Sequence, residues 1–325
     1  MMTSICYRAI FTAAALAAAP LAAQEPLTVA EGKPWTHAHS GIAIPAALDE
    51  LPRVRATSFV APELDISQNF ASDDGREALT VYIFRNTNGA VPVWFAQAQR
   101  AISLRTDLAD PTLAVPPVAF TPPGQSAASG IKAVFAPKDV EGIRSTGVAL
   151  FAVGDWYVKL RATSATLTPA DMSDWMEGVL GELTLPRGTA PAVRPIADCA
   201  PKLAFGPDAA DSTLPDTALA AGVKTAAARM VGTRWCLDRV VRGNLAVYRP
   251  DGAADRYLLA TGDNGKAFAV EPQGAAGAAY YSVNLIGANK SFTLVAQAHM
   301  PTPQRVLDLA AAERAVAAIE TWPVR

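Results

Sequence analysis

The chain has 325 residues, of which 50% are hydrophobic and 18% are charged, and its formal net charge at pH 7 is −2. This composition excludes wholesale disorder and predicts a packed core in about two domains. Lysine and arginine residues are scattered and form no basic run, so the sequence argues against binding of RNA or DNA.

Residues 1–23 are typical of a secretory signal peptide. Arg8 supplies a short positive region, residues 9–21 form an Ala-rich apolar stretch, and residues 22–23 offer a cleavage site. Cys6 lies before the apolar stretch, so it is not placed to carry the lipid of a lipoprotein. No later stretch is long and apolar enough to span a bilayer. We therefore expect a soluble protein that is secreted across the inner membrane into the periplasm.

The first half of the chain predicts strands, one helix and a proline-rich loop. Residues 35–45 and 64–70 indicate strands, and the β-branched and aromatic residues 78–84 predict the strongest strand of this half. Apolar residues recur on one face of residues 93–104, which predicts a helix. Residues 106–130 contain five prolines. We interpret them as a loop, either a functional or mobile segment or a plain surface insertion.

Residues 147–183 form the best-defined unit of the sequence. An apolar strand, the turn residues Gly154-Asp155 and an alternating strand predict a β-hairpin. Thr168 can cap the helix that follows, and Pro169 suits its first position. The apolar stripe of this helix consists of Met172, Trp175, Met176, Val179, Leu180 and Leu183.

A degenerate copy of this unit occupies residues 281–319, shifted by 134 positions. Thr302-Pro303 matches Thr168-Pro169, and the alternation of residues 292–296 matches that of residues 158–162. Internal similarity of this kind suggests two related domains. The alternative is that any strand followed by a Thr-Pro-capped helix would align equally well.

Residues 186–215 contain six prolines and few large apolar residues, and we interpret them as an interdomain linker. The predicted domains are then an N-terminal domain over residues 35–185 and a C-terminal domain over residues 216–325. The C-terminal domain is predicted to begin with a helix over residues 216–231. It continues with six short strands joined by tight turns and closes with a helix over residues 302–322.

Export would leave two cysteines, Cys199 and Cys236, in an oxidising compartment, where an isolated pair usually forms a disulfide. Their separation of 37 residues is unlike the C-x-x-C spacing of redox pairs. We therefore predict a structural disulfide that pins the linker to the second domain.

The predicted fold class is α+β, with two domains that each contain an antiparallel sheet and helices packed on its face. The element order of residues 45–185, with residues 41–45 (GIAIP) and Leu51-Pro52-Arg53 near its start, resembles the PsbP/Mog1/DcrB-like domains. The resemblance implies an antiparallel sheet with helices on its faces and a small-ligand, adaptor or assembly role. It carries no catalytic residue across to this chain.

The sharpest polar feature is the pair His37 and His39, which would share a face of a strand and could share a metal ion. His299 is the remaining histidine that could complete such a site. The alternative is that the pair consists of plain surface residues. The glycine-rich residues 262–266 lack the spacing of a phosphate-binding loop and are interpreted as a hairpin turn.

Three arginines, Arg234, Arg239 and Arg242, flank a strand and could bind an anion or serve as a solvated strand edge. The absence of a complete catalytic motif favours a non-catalytic protein that binds a small ligand or a partner protein in the cell envelope. No cofactor is expected. The rival hypotheses are a hydrolase or metal-dependent enzyme that uses His37, His39 or His299, and a purely structural component of the envelope.

Overall fold

The structure is a computed structural model that describes residues 24–88, 90–206, 210–212, 234–273 and 280–323. The predicted signal peptide over residues 1–23 and the helix predicted over residues 216–231 lie outside the described residues.

The first half of the chain builds a large antiparallel sheet and a small separate one. The strands of this half are β1 (Glu25–Pro26), β2 (Trp35–Thr36), β3 (Ala43–Ile44), β4 (Ala47–Leu48), β5 (Leu51–Val60), β6 (Asp65–Ala71), β7 (Glu77–Arg85), β8 (Thr112–Phe120), β9 (Gly130–Ala136), β10 (Ser145–Val153) and β11 (Trp156–Ser164). The strand order of the large sheet is β1-β5-β6-β7-β11-β10-β9-β8, and β4 also pairs with β5, whereas β2 and β3 form the separate two-stranded sheet. The described residues of this half also form the α-helices α1 (Val91–Ser103) and α2 (Pro169–Gly181) and a short 3-10 helix (Thr106–Leu108).

The second half builds a separate sheet whose strands follow one another in chain order. These strands are β12 (Ala197–Asp198), β13 (Trp235–Arg242), β14 (Leu245–Pro250), β15 (Tyr257–Ala260), β16 (Ala267–Gln273), β17 (Tyr280–Ile286), β18 (Lys290–Gln297) and β19 (Ala315–Glu320). Helix α3 (Pro303–Ala311) lies between β18 and β19. The prediction of two separate, mainly antiparallel sheets with short helices is confirmed.

Helix α1 lies between the two sheets. Its buried residues, Trp94 among them, belong to one apolar cluster with Leu150 of β10 and Tyr248 of β14. Alternate residues of the same strands point away from α1, because successive side chains of a strand face opposite sides of a sheet. Those residues pack with α2 on the first sheet and with α3 on the second. The layers therefore follow the order α2, first sheet, α1, second sheet, α3.

The two predicted copies occupy corresponding elements. Strands β10 and β11 followed by α2 match β17 and β18 followed by α3, at the shift of 134 positions. Both helices are capped in the predicted way, because Thr168 Oγ1 accepts from Asp171 N (3.3 Å) and Thr302 Oγ1 accepts from Arg305 N (3.1 Å). Gly147 lets α2 approach the sheet, since a Cβ there would lie 2.7 Å from Met176 Sδ.

Two sequence interpretations are wrong at the level of secondary structure. The proline-rich residues 106–130 are not a continuous loop, since they contain β8, which is the edge strand of the first sheet. Proline is tolerated at an edge because the missing N–H faces no partner strand, and β8 carries register shifts around Pro116 and Pro117.

The helix predicted over residues 302–322 ends after Ala311, and the chain returns as β19 to pair with β18. Glu313 has a φ of 53°, which breaks the helix at this point. The Ala-rich residues that follow suit a helix by propensity. Pairing with the edge of β18 outweighs that preference.

Part of the predicted linker, around residues 197–199, lies along the edge of the second sheet. Cys199 and Cys236 are both buried, and their sulfur atoms lie 1.98 Å apart, at disulfide-bonding distance. Next to them β12 runs parallel to β13, and Cys199 N donates to Leu237 O (2.9 Å).

We expect the double variant Cys199→Ser/Cys236→Ser to lose about 4 kcal/mol of unfolding free energy, because the bridge closes a loop of intermediate length in the unfolded chain. Urea titration followed by circular dichroism measures this loss. A reducing agent should destabilise the wild type by a similar amount and leave the double variant unchanged. Equal stability of the oxidised and reduced wild type would contradict the prediction.

Candidate functional site

His37 is a buried structural residue. Its Nε2 donates to Glu63 O (2.9 Å), and its Nδ1 lies 2.7 Å from Ser40 Oγ. Ser40 Oγ also accepts from Ile42 N (3.2 Å), so the hydroxyl proton is free to go to Nδ1. This pattern fits a neutral imidazole with its proton on Nε2. Burial lowers the pKa of His37, which also favours the neutral form.

His39 lies next to His37, with 5.5 Å between the ring centroids. Its ring stacks on Trp156 and meets Trp322 edge-on at 4.8 Å, and its Nε2 bonds to Pro62 O (2.8 Å). His299 is exposed, and the described residues contain no group of three or more His, Cys, Asp or Glu that could hold a metal ion. The metal hypothesis therefore gains no support from this part of the chain.

Of the three arginines that the sequence analysis singles out, Arg239 is held in structural contacts. Arg239 Nε donates to Asp238 Oδ1 (2.7 Å), and Arg239 Nη2 donates to Leu203 O. Asp238 is fully buried and also accepts from Arg249 Nε and from Leu203 N. These bonds hold the segment around Leu203 against the second sheet, so Asp238 and Arg239 have a structural role.

Residues 261–266 form the predicted hairpin turn between β15 and β16, and this turn contacts the first sheet. Asp263 Oδ2 accepts from Lys159 Nζ (2.8 Å) and from Arg161 Nη2 (2.6 Å). Asn264 Nδ2 donates to Asp65 Oδ2 (3.3 Å), and Thr87 Oγ1 donates to Gly265 O (3.2 Å). We call Asp65, Lys159, Arg161 and Asp263 the interdomain ion cluster.

Burial dominates the electrostatics of the interdomain ion cluster. Lys159 is 3% exposed, and burial lowers its pKa although Asp263 opposes the shift. Burial raises the pKa of Asp65 to about 6. Burial would also raise the pKa of Asp263, but Lys159 and Arg161 outweigh it and lower that pKa to about 2. Asp263 is therefore a strongly paired carboxylate, whereas ionisation of Asp65 costs free energy because burial disfavours its charged form.

Helix α1 also bonds to the second sheet. Gln97 Nε2 donates to Asn244 O (2.8 Å) and to Gly262 O (3.0 Å), and Gln97 Oε1 accepts from Tyr248 Oη (3.0 Å). Arg100 Nε donates to Gly243 O (2.5 Å). One buried glutamine thereby fixes α1 to two hairpin turns of the second sheet.

An open cleft of about 330 Å³ remains beside α1, between the two sheets. Its lining residues are Ala96, Gln99, Arg100, Ser103, Pro111, Leu113, Pro117, Phe135, Ile196, Leu237, Val240, Ala246 and Tyr248. The four from α1 stand at i, i+3, i+4 and i+7 and so share one face of the helix. We call this feature the interdomain cleft.

The walls of the interdomain cleft are mainly apolar, and Arg100 is the one charged residue among those that line it. Two large apolar side chains on opposite sheets stay accessible there, Leu113 at 46% and Val240 at 40% exposure. Tyr248 Oη is occupied by Gln97, and burial raises the pKa of Tyr248, which keeps the phenol protonated. This arrangement suits binding of an apolar ligand rather than proton transfer.

Sequence reasoning did not identify the interdomain cleft, because its residues come from distant parts of the chain. Two sequence features belong to the cleft, the prolines of β8 and the polar face of α1. Neither predicts a cavity, because the cavity exists only once both sheets pack around the helix.

Comparison with known proteins finds no matching family model, no matching curated protein and no matching solved structure. The resemblance of residues 45–185 to PsbP/Mog1/DcrB-like domains therefore stays a prediction. Among the described residues, no helix combines the length and the apolar character needed to cross a bilayer.

We expect Asp65→Asn to stabilise the protein by about 2 kcal/mol at pH 8, because the folded-state pKa of about 6 lies above the ordinary value of 3.8. The folded wild type binds a proton more tightly than the unfolded chain, so its own stability rises as the pH falls through this window. The advantage of the variant should therefore vanish below pH 4. Urea titrations at pH 8, 6 and 4 measure the difference.

Asp263→Asn is the matched contrast within the same cluster. It should destabilise the protein by about 3 kcal/mol at pH 7, because it leaves the buried Lys159 without its partner. The ionised Asp263 stabilises the folded wild type above the ordinary pKa of 3.8, and this stabilisation is lost as the pH falls through the folded-state pKa of about 2. A stabilising effect of Asp263→Asn, or a destabilising effect of Asp65→Asn at pH 8, would refute this account of the cluster.

Proposed function

We propose that the protein is exported to the periplasm and acts there as a non-catalytic binding module whose ligand site is the interdomain cleft. The observation that carries this proposal is a cleft between two sheets with mainly apolar walls and a single charged residue. Ligand sites commonly lie at domain interfaces, are mostly apolar and contain a few polar groups that orient the ligand.

The accessible apolar side chains of the cleft support this proposal. Leu113 lies on the edge strand β8 and Val240 on β13, so the two sheets present apolar surface toward a common space. A ligand that enters the cleft would bury surface of both side chains, with a gain of roughly 25 cal/mol per Å² of apolar area.

The proposed location rests on the predicted signal peptide and on the paired cysteines. A bond between Cys199 and Cys236 is compatible with an oxidising compartment, where such pairs persist. Two alternatives are a protein that binds a partner protein and a structural component of the envelope. Pull-down from membrane extracts tests both.

We also infer that the two halves arose by duplication. The inference is supported by the common order of hairpin and Thr-Pro-capped helix at a constant shift of 134 positions. Strand β11 is flanked by the earlier β7, whereas β18 is flanked by the later β19, so the halves differ outside this unit.

The cleft proposal predicts binding of a neutral apolar probe, N-phenyl-1-naphthylamine, with enhanced fluorescence at one site. We expect Leu113→Asp and Val240→Asp each to weaken binding at least tenfold, because either introduces a charge into an apolar wall. Fluorescence titration of the purified protein measures the dissociation constants.

Val54→Asp is the matched control, because Val54 is 61% exposed on β5, far from β8 in the strand order. It should bind the probe like the wild type. Circular dichroism verifies that all three variants fold. Absence of probe binding to the wild type, or equal loss in all three variants, would reject the cleft as the ligand site.

The rival metal-dependent enzyme is tested through its histidines. We expect His37→Ala to destabilise the protein by about 2 kcal/mol, because it removes the bonds to Ser40 and Glu63, whereas His299→Ala should have an effect below ~0.5 kcal/mol. Elemental analysis of the purified protein accompanies the urea titrations. Stoichiometric metal that is lost in His37→Ala, His39→Ala or His299→Ala would favour the enzyme over the binding module.

A further inference from the structure

We infer that the interdomain cleft binds a small amphipathic carboxylate, that is, an aliphatic chain that carries one anionic head group. This inference rests on the proposed function and adds the chemical class of the ligand. It follows from the position and bonding of Arg100 and from the composition of the walls around it.

Arg100 lies in the last turn of α1 and is held at the cleft by its Nε, which donates to Gly243 O in the turn between β13 and β14. Within the described residues it forms no ion pair. By contrast, Arg105 pairs with Asp107, and Arg239 pairs with Asp238. Among the described residues, no hydrogen bond occupies the Nη groups of this half-buried guanidinium, so they offer the planar donor pair that a carboxylate accepts in bidentate form.

The charge of the lining favours an anion over a cation. Neither aspartate nor glutamate is among the lining residues, so a cationic head group would meet Arg100 without a compensating carboxylate. A single positive charge matches a monoanion. Gln99 lies on the same helical face as Arg100, and its side-chain amide can donate to a head group placed there, whereas the Ser103 hydroxyl donates to Gln99 O (3.3 Å).

The side chains of the cleft walls favour a ligand with an aliphatic chain. Leu113 and Pro117 from β8 face the cleft from one sheet, and Leu237 and Val240 from β13 face it from the other. Branched aliphatic and proline side chains present non-directional apolar surface. Each methylene that becomes buried between them should strengthen binding roughly fourfold, which corresponds to about 0.8 kcal/mol.

Isothermal titration of the purified protein with octanoate, decanoate, decanol and decylamine tests the inference. Decanoate should bind about 15-fold more tightly than octanoate, because it adds two methylenes. Decanol and decylamine should each bind at least tenfold more weakly than decanoate, because decanol has no charge to pair with Arg100 and the decylammonium cation is repelled by it. Arg100→Gln should weaken decanoate binding about tenfold and leave decanol binding unchanged.

Arg55→Gln serves as the charge-matched control, because Arg55 is exposed on β5 at the far side of the first sheet. It should leave the affinity for decanoate unchanged. Equal binding of decanol and decanoate, or an unaltered affinity in Arg100→Gln, would overturn the carboxylate inference while the cleft proposal stands. If neither these ligands nor the neutral naphthylamine probe binds, the proposed function fails as well.

Discussion

The burial of α1 between two sheets is the constraint on which the rest of the structure depends. A helix covered on both sides must be apolar over most of its circumference, and each polar group it carries inward needs a partner. Asn88 Oδ1 accepts from Trp94 Nε1 (2.7 Å) and from Tyr157 Oη (2.9 Å), and Gln97 bonds to two carbonyls and a phenol. These directional bonds fix one position of the helix between the sheets, whereas apolar packing alone tolerates several arrangements.

Because α1 shares one apolar cluster with both sheets, the two halves form a single packed body. The interdomain ion cluster and Arg85 reinforce this union. Arg85 Nη1 donates to Ala288 O (2.7 Å) and Thr321 O (2.8 Å), and its guanidinium lies 5.1 Å from the Trp322 ring. Residues 321–322 are thereby bound to the first sheet.

The interdomain cleft is a consequence of the same arrangement. A helix is narrower than the two sheets that enclose it, so the flank of α1 between β8 and β13 is left uncovered. The helix presents its polar face there, with Arg100 oriented by Gly243, while both sheets present apolar edges. Ligand sites are commonly preformed, mainly apolar clefts that contain a few precisely positioned polar or charged groups.

The sequence by itself determined the local elements of this protein. Period-2 alternation and the Thr-Pro caps identified the hairpin β10–β11 with α2 and its partner β17–β18 with α3, because these signals act within a few residues. The two sheets and the pairing of Cys199 with Cys236 also followed from local or compositional rules. The tertiary structure decided that residues 315–320 form a strand, that residues 112–120 form an edge strand, and that Asp263 pairs with Lys159. Each of these depends on a neighbour distant in the chain, whose backbone edge or buried charge outweighs local preference.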